Sequence, residues 1–361
     1  MRPVLAAALL FSASTPASAQ EVHADRTVTF HYTAPNAHEV SVSGDWGKGG
    51  PLTKDEAGLW SLTVGPLEPN LYSYNFTVDG KQALDPFNNR FKPERVGAAN
   101  VVDVPGDKPA VWDRQPGVPH GVVHLHDYDA KALGSVRHLR IYTPPGYDKA
   151  ADTRYPTLYL LHGSGDNEAT WSEFGRAQVI LDNLIAAGKA KPMLVVMPDG
   201  HTGPPMPRNS PKAAEARTKY LSEFETDLLS EIIPLTDSLY RTRPDRESRA
   251  IIGLSMGGNQ SLIVSLNHLD LFAWVGGMSS ALREPETQIA PFLKDTASAN
   301  GKLRLLWIAC GQDDRLLPDN QRLDALLTEK QVKHSFVQTP GAHAWPVWRR
   351  NLAEFAPKLF E

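Results

Sequence analysis

The stretch Ala250-Ile251-Ile252-Gly253-Leu254-Ser255-Met256-Gly257-Gly258 constrains the fold of this chain more than any other. Its first three residues are apolar and partly β-branched, as a strand covered on both faces should be. Gly253 and Gly257 flank Ser255 in a G-x-S-x-G turn from strand to helix, where side chains at the two glycine positions would clash and the serine backbone is strained. Gln260 to Leu269 continues with a helical pattern, so backbone N–H groups and the positive end of a helix dipole would face the serine. That environment suits a nucleophile whose attack creates an oxyanion. An idle serine in a glycine turn is the alternative, and the partners further along the chain weigh against it.

A serine hydroxyl is a poor nucleophile until a general base takes its proton, and the base needs an acid to orient it. Downstream, Gly311-Gln312-Asp313-Asp314 follows the apolar run ending at Cys310, and Gly341-Ala342-His343 follows the run His334 to Gln338. Ser255, then an aspartate, then His343, each just after a strand, is the order of an α/β-hydrolase triad. Of the two adjacent acids, Asp314 at the fourth place of the turn is favoured, with Asp313 expected in a turn or cap hydrogen bond. His268 and His334 are less well placed, on a helix and at a strand start. An oxyanion hole needs two backbone N–H groups. Met256, next after the nucleophile, supplies one. The loop Leu161-His162-Gly163-Ser164-Gly165-Asp166 supplies the other, from Ser164 first and Gly163 second, and His162 is expected to be a structural hydrogen-bonding residue.

The rest of the chain fits this frame. Thr157–Leu161, Met193–Met197, Ala250–Ile252, Ala273–Gly277 and Leu303–Ala309 are apolar runs separated by helical periodicity, as at Tyr220 to Leu235. With leading strands at Val122–His126 and Val136–Tyr142, they predict an α/β fold with a mainly parallel sheet covered on both faces over residues 120–361. Before it, residues 25–105 alternate with period two between turn signals, among them Gly49-Gly50-Pro51, which predicts a small immunoglobulin-like β-sandwich. The Pro- and Gly-rich residues 106–119 read as a linker. Residues 1–19 read as a secretory signal peptide, with Met1-Arg2, an apolar core from Val4 to Phe11 and Ala17-Ser18-Ala19 as the cleavage site, so a secreted or periplasmic protein is expected. A formal net charge of -4 gives no support for nucleic-acid binding. Cys310 is the single cysteine, excluding an intrachain disulfide and a cysteine-based metal site. The His124-x-His126 pair has no clustered third ligand, so neither a metal nor a cofactor is expected.

Tyr142-Thr143-Pro144-Pro145-Gly146-Tyr147, Leu161-His162-Gly163, Met197-Pro198-Asp199-Gly200-His201-Thr202, Gly253 to Gly258, Cys310 to Asp314 and His343 to Arg350 together resemble carbohydrate esterase family 1. That family includes feruloyl and acetylxylan esterases, with enterochelin-type siderophore esterases as relatives. The resemblance covers the region from His120 onward and implies metal-free, serine-dependent ester hydrolysis on an α/β-hydrolase fold. A feruloyl esterase acting on feruloylated plant polysaccharide is the favoured reading. Trp171 and Trp345 are the candidate pocket aromatics for the hydroxycinnamoyl ring, with core packing as their alternative. An acetylxylan or siderophore esterase is the runner-up. The latter needs cations around its ligand, for which Arg176, Arg208 and Arg349 are available without forming a cluster in sequence. Gly44-Asp45-Trp46, Gly58-Leu59-Trp60 and Tyr72-Ser73-Tyr74 resemble family 48 carbohydrate-binding modules, leaving Trp46 and Trp60 as either glycan platforms or core residues. A non-catalytic glycan-binding protein is the remote alternative.

Overall fold

The computed structural model describes residues 20–206 and 210–361, so the signal peptide read in residues 1–19 lies outside the described residues. The N-terminal unit is two packed antiparallel sheets. One has the order Gln20–Val22, Val28–Thr33, Leu59–Val64, Thr53–Lys54; the other runs Gly47–Pro51, Val40–Gly44, Asn70–Val78, Ala98–Val104, Phe91–Pro93, with Lys81–Ala83 also paired to Asn70–Val78. Alternate residues of each strand point inward, and Val28, Phe30, Val40, Val42, Trp60, Tyr74 and Phe76 meet in the core between the sheets. Two expectations are corrected here. The sandwich reaches N-terminally of residue 25 at least to Gln20, because Gln20–Val22 pairs with Val28–Phe30. Gly49-Gly50-Pro51 is strand rather than turn, since Gly50 and Pro51 pair with Val42 and Ser41.

Trp46 and Trp60 face this core. Trp46 stacks on Phe30 at 5.0 Å between ring centroids. The Trp60 Nε1–H donates to the Ala34 carbonyl at 2.9 Å. Trp60 is buried, and Trp46 is half-buried with one ring face against Phe30. The large aromatics exposed on this unit are Phe87 and Phe91.

Among the described residues, the C-terminal unit is built on an eight-stranded sheet. Its strands are β1 (Val122–Ala130), β2 (Ser135–Thr143), β3 (Thr157–Leu161), β4 (Leu194–Pro198), β5 (Arg249–Leu254), β6 (Trp274–Met278), β7 (Leu305–Gly311) and β8 (Ser335–Thr339). The order across the sheet is β1-β2-β4-β3-β5-β6-β7-β8. β2 is antiparallel to both neighbours, and all pairings from β4 to β8 are parallel. Successive strand residues serve opposite faces. Ala250, Ile252 and Leu254 join Ile180, Leu181, Leu352 and Phe355 on one side, while Ile251 joins Phe224, Leu262, Leu323 and Leu327 on the other. This double cover explains why these strands read as continuous apolar runs. From β3 the chain crosses to β4 on one side, and β5 lies on the other. β3 and β5 therefore flank a switch point, the place where the loops at the carboxyl ends part and leave a crevice.

Residues 105–121 contain no helix or strand but are pinned down. The Asn183 amide donates to the Val111 and Asp113 carbonyls at 2.8 and 2.9 Å. A deeper tie joins the two units. Arg349, on the helix Trp345–Phe355, is fully buried and donates to Asn70 Oδ1, to the Leu71 carbonyl at 3.2 Å and to the Phe174 carbonyl at 3.2 Å. Its guanidinium carbon lies 4.7 Å from the Phe174 ring centroid. Burial pulls its titration down to about 9, with the Asp45 carboxylate opposing the shift, so it stays protonated at neutral pH. Arg349→Ala strands these buried acceptors and opens a void. We expect a loss of about 3 kcal/mol in urea unfolding; a change within about 0.5 kcal/mol, the range of an ordinary surface substitution, would contradict this account of the interface.

Candidate active site

Ser255 sits at φ 53° and ψ −110°, in the left-handed half of backbone space, between the end of β5 and the helix Met256–Asn267. The two glycines allow that turn. A Cβ on Gly253 would lie 2.3 Å from the Gly257 carbonyl, and one on Gly257 would lie 2.5 Å from the His162 carbonyl. The Ser255 N–H is anchored on the Met278 carbonyl of β6 at 2.8 Å. The side chain is thereby lifted above the carboxyl end of the sheet, at the N-terminus of a helix whose free N–H groups favour negative charge.

His343, in the loop after β8, brings Nε2 to 3.0 Å from Ser255 Oγ. Its Nδ1 lies 2.8 Å from Asp314 Oδ2 and 3.0 Å from Oδ1. An ionised carboxylate only accepts, so Nδ1 carries the hydrogen and the Nε2 lone pair faces the serine hydroxyl. Asp314 is buried, and burial alone would raise its carboxyl. The His343 ring, the Leu316 N–H (2.8 Å to Oδ1) and the Ser279 hydroxyl outweigh burial and hold it below the ordinary carboxylate value. Asp313 is exposed, and its backbone N–H donates to the Gly341 carbonyl at 3.0 Å. Two residues outside the sequence-based set complete the arrangement. The Trp348 ring stands at 89° to the His343 imidazole, 5.0 Å between centroids, and its Nε1–H donates to Ser279 Oγ at 3.1 Å. The signal for Trp348 was the Trp345-Pro-Val-Trp348 spacing, which puts both indoles on one side of a helix.

The loop after β3 closes over the serine. A Cβ on Gly163 would come 2.6 Å from Leu254 Cδ1 and 3.5 Å from Ser255 Cβ, so only glycine permits this approach. The Gly163 carbonyl accepts the His162 Nδ1–H at 2.8 Å and the Asp166 N–H at 3.1 Å. In a trans peptide the following N–H, that of Ser164, points the opposite way from this carbonyl. His162 Nε2 accepts the Gly200 N–H at 2.8 Å and lies 3.2 Å from Asp199 Oδ1; the shorter contact fixes the neutral tautomer. His162 thus cross-links two loops and carries no free base. Among the described residues neither the Met256 nor the Ser164 N–H donates to a protein acceptor.

Trp171 and Trp345 require a correction. They are 1% and 2% exposed and pack edge to face at 4.9 Å. The Trp171 Nε1–H donates to the Leu161 carbonyl at 3.0 Å, and Trp345 also meets Phe174 and Trp348. Their faces are occupied by each other and by the core beneath the site, so they offer no open wall to an aromatic acyl group. His124 and His126 bond to Thr143 Oγ1 (3.1 Å) and the Tyr240 hydroxyl (2.6 Å). Among the described residues no group of three or more His, Cys, Asp or Glu is placed to hold a metal ion.

Known proteins share this frame. A family described as "Putative esterase" matches residues 130–359. The chain is 32% identical over 347 residues to an endo-1,4-beta-xylanase/feruloyl esterase of Xylanibacter ruminicola, a match covering 94% of this chain and 46% of that protein. The chain therefore spans about half the length of that relative. A solved ferulic acid esterase is 26% identical with a TM-score of 0.58, covering 66% of this chain and 97% of that one. The enterobactin esterase of Shigella flexneri, 17% identical, has a TM-score of 0.69 over 92% of each chain, so it shares the fold of both units. On the match of residues 130–359, over a nucleophile turn, an aspartate and a histidine assembled at the carboxyl edge of the sheet, the chain belongs to this esterase family and has the α/β-hydrolase fold.

Proposed function

We propose that the protein is a secreted feruloyl esterase that releases hydroxycinnamic acids from plant cell-wall polysaccharide through an acyl-enzyme on Ser255. The observation that carries the chemistry is the continuous relay from Ser255 Oγ through His343 (3.0 Å) to Asp314 (2.8 Å) on a strained turn. Ser255 Oγ attacks the ester carbonyl as His343 Nε2 takes its proton. The Met256 and Ser164 N–H groups receive the developing oxyanion, and Asp314 stabilises the imidazolium. His343 then protonates the departing alkoxide, and a water activated by the same nitrogen releases the acid. The feruloyl assignment draws on the names of the Xylanibacter relative and the 26%-identical solved esterase. Export draws on the segment pattern of residues 1–19, and no helix among the described residues is long and apolar enough to cross a membrane.

A siderophore ester fits less well. Of the three arginines available for an anionic ligand, Arg349 is buried between the units and Arg176 is tied to Asp113 and Asp103 at 3.1 and 3.5 Å. Arg208 lies outside the described residues.

The first test is hydrolysis of methyl ferulate and p-nitrophenyl acetate. Wild type should cleave both, and Ser255→Ala should lose roughly a thousandfold or more on each. Cleavage of acetate alone would move the substrate toward acetylated xylan. The second test separates the two adjacent acids. Asp314→Asn should lower kcat by about 10⁴-fold by stabilising the wrong histidine tautomer, whereas Asp313→Asn should stay within about twofold, as befits an exposed side chain that takes no part in the relay; the reverse ranking would reassign the acid. The third test uses pH. The folded Asp314 carboxyl keeps its charge to lower pH than the unfolded one, so its contribution to stability is full above about 3.9 and is lost as pH falls through its lower folded value. The urea midpoint of wild type should therefore fall more steeply in that acid range than the midpoint of Asp314→Asn, and equal slopes would contradict this.

A further inference from the structure

The segment that follows Arg90 belongs to the β-sandwich, yet its polar groups are spent on the loop beside Ser255. Among the described residues Phe91–Pro93 is the last strand of its sheet, paired with Ala98–Asn100. On the other side four consecutive residues engage the hydrolase unit. Lys92 Nζ lies 2.8 Å from Asp166 Oδ1, with both side chains more than nine-tenths buried. The Pro93 carbonyl accepts the Thr170 hydroxyl at 2.9 Å, and the Glu94 carbonyl accepts the Asn167 amide at 3.1 Å. The Arg95 N–H donates to the Gly165 carbonyl at 2.9 Å, and its guanidinium donates to the Gly203 carbonyl. Gly203 lies in the loop whose Gly200 N–H is bonded to His162.

These contacts lead directly to the nucleophile. The Asp166 N–H and the His162 ring share the Gly163 carbonyl, and Asp166 Oδ2 would lie 3.5 Å from a Cβ on Gly163. The same Cβ would lie 3.5 Å from that of Ser255. The loop has little packing of its own at its tip, since Ser164 and Gly165 are exposed. A buried ion pair adds little net stability over a well-packed apolar pair, but it fixes geometry when both partners are fully engaged. Lys92 is fully engaged: Glu94 Oε1 is a second acceptor at 2.9 Å. Burial favours loss of its proton, but the Asp166 and Glu94 carboxylates reverse this and hold it above the ordinary lysine value.

We infer that Lys92 is a positioning residue of the esterase: its ion pair with Asp166 lets the β-sandwich fix the loop over residues 163–167, so that the Ser164 N–H is held toward the oxyanion formed at Ser255. The sandwich is then part of the catalytic structure and more than an appended module. This rests on the reading of that loop as the second oxyanion donor.

The test uses the full chain. Because Lys92→Met alone leaves a buried carboxylate unpaired, the informative variant is Lys92→Met combined with Asp166→Asn, which removes both charges. A misplaced donor costs about tenfold to hundredfold in kcat. We expect a loss of that order on p-nitrophenyl acetate with KM within about twofold, in a protein that still melts cooperatively. An arylboronic acid, whose tetrahedral adduct with Ser255 Oγ places an oxygen where the oxyanion forms, should bind more weakly by a similar factor. Inhibition by ferulate, a planar product, should not change. A folded double variant with kcat and boronate affinity within about twofold of wild type would overturn the inference. Ser164→Pro, which deletes the amide hydrogen itself, separates the two ways of failing. If it lowers kcat and the double variant does not, the loop is the donor and Lys92 does not position it. If a folded Ser164→Pro keeps full kcat, the donor reading fails and the inference with it.

Discussion

The structure depends on a serine held in a backbone conformation that side chains resist. Ser255 at φ 53° is strained, and the strain persists because everything around it is over-determined. Its N–H is bonded to β6, its flanking glycines touch the backbone of β3 and its own helix, and β5 beneath it is buried on both faces. A softer scaffold would let the turn relax into an ordinary cap. The parallel register carries the same order to the other functional residues. Leu161 is level with Gly253, Leu254 with Met278, and Gly311 with Thr339, so the loops bearing Gly163, Asp314 and His343 all start at one edge.

Around the histidine, geometry is maintained in layers. Asp314 orients His343, the Leu316 N–H orients Asp314, and Trp348 flanks the imidazole while holding Ser279. Trp345, Trp348 and Arg349 all come from the helix that begins two residues after His343. Packing against the sandwich and support of the histidine are therefore performed by one rigid element. Asn70 and Arg349 meet although they are separated by 279 positions in the chain, which is how the first unit comes to brace the last helix.

Much of this was legible in the sequence, for physical reasons that differ by residue. Gly253, Ser255 and Gly257 were readable because a tight turn leaves few alternatives at each position. The strands of the parallel sheet were readable because burial on both faces leaves unbroken apolar runs, and Asp314 and His343 because each follows such a run. Trp171 and Trp345 read as either pocket or core residues, because an indole near a catalytic loop has the same sequence signature whether it faces solvent or core; the structure puts both in the core. Gly49-Gly50-Pro51 reads as a turn because its glycines carry no strand propensity; the pairing of Gly50 and Pro51 with Val42 and Ser41 is imposed by the neighbouring strand. Lys92 and Asp166 were invisible as a pair, because nothing local in either segment reports that they meet across the two units.

Acyl transfer through a covalent ester on Ser255 predicts an intermediate that can be trapped. Wild-type protein would be mixed with excess methyl ferulate, quenched in acid during turnover and examined by intact-mass and peptide mass spectrometry. The expected result is a feruloyl adduct confined to the peptide carrying Ser255 and absent from Ser255→Ala. An adduct on a different residue, or turnover in Ser255→Ala at the wild-type rate, would contradict the account.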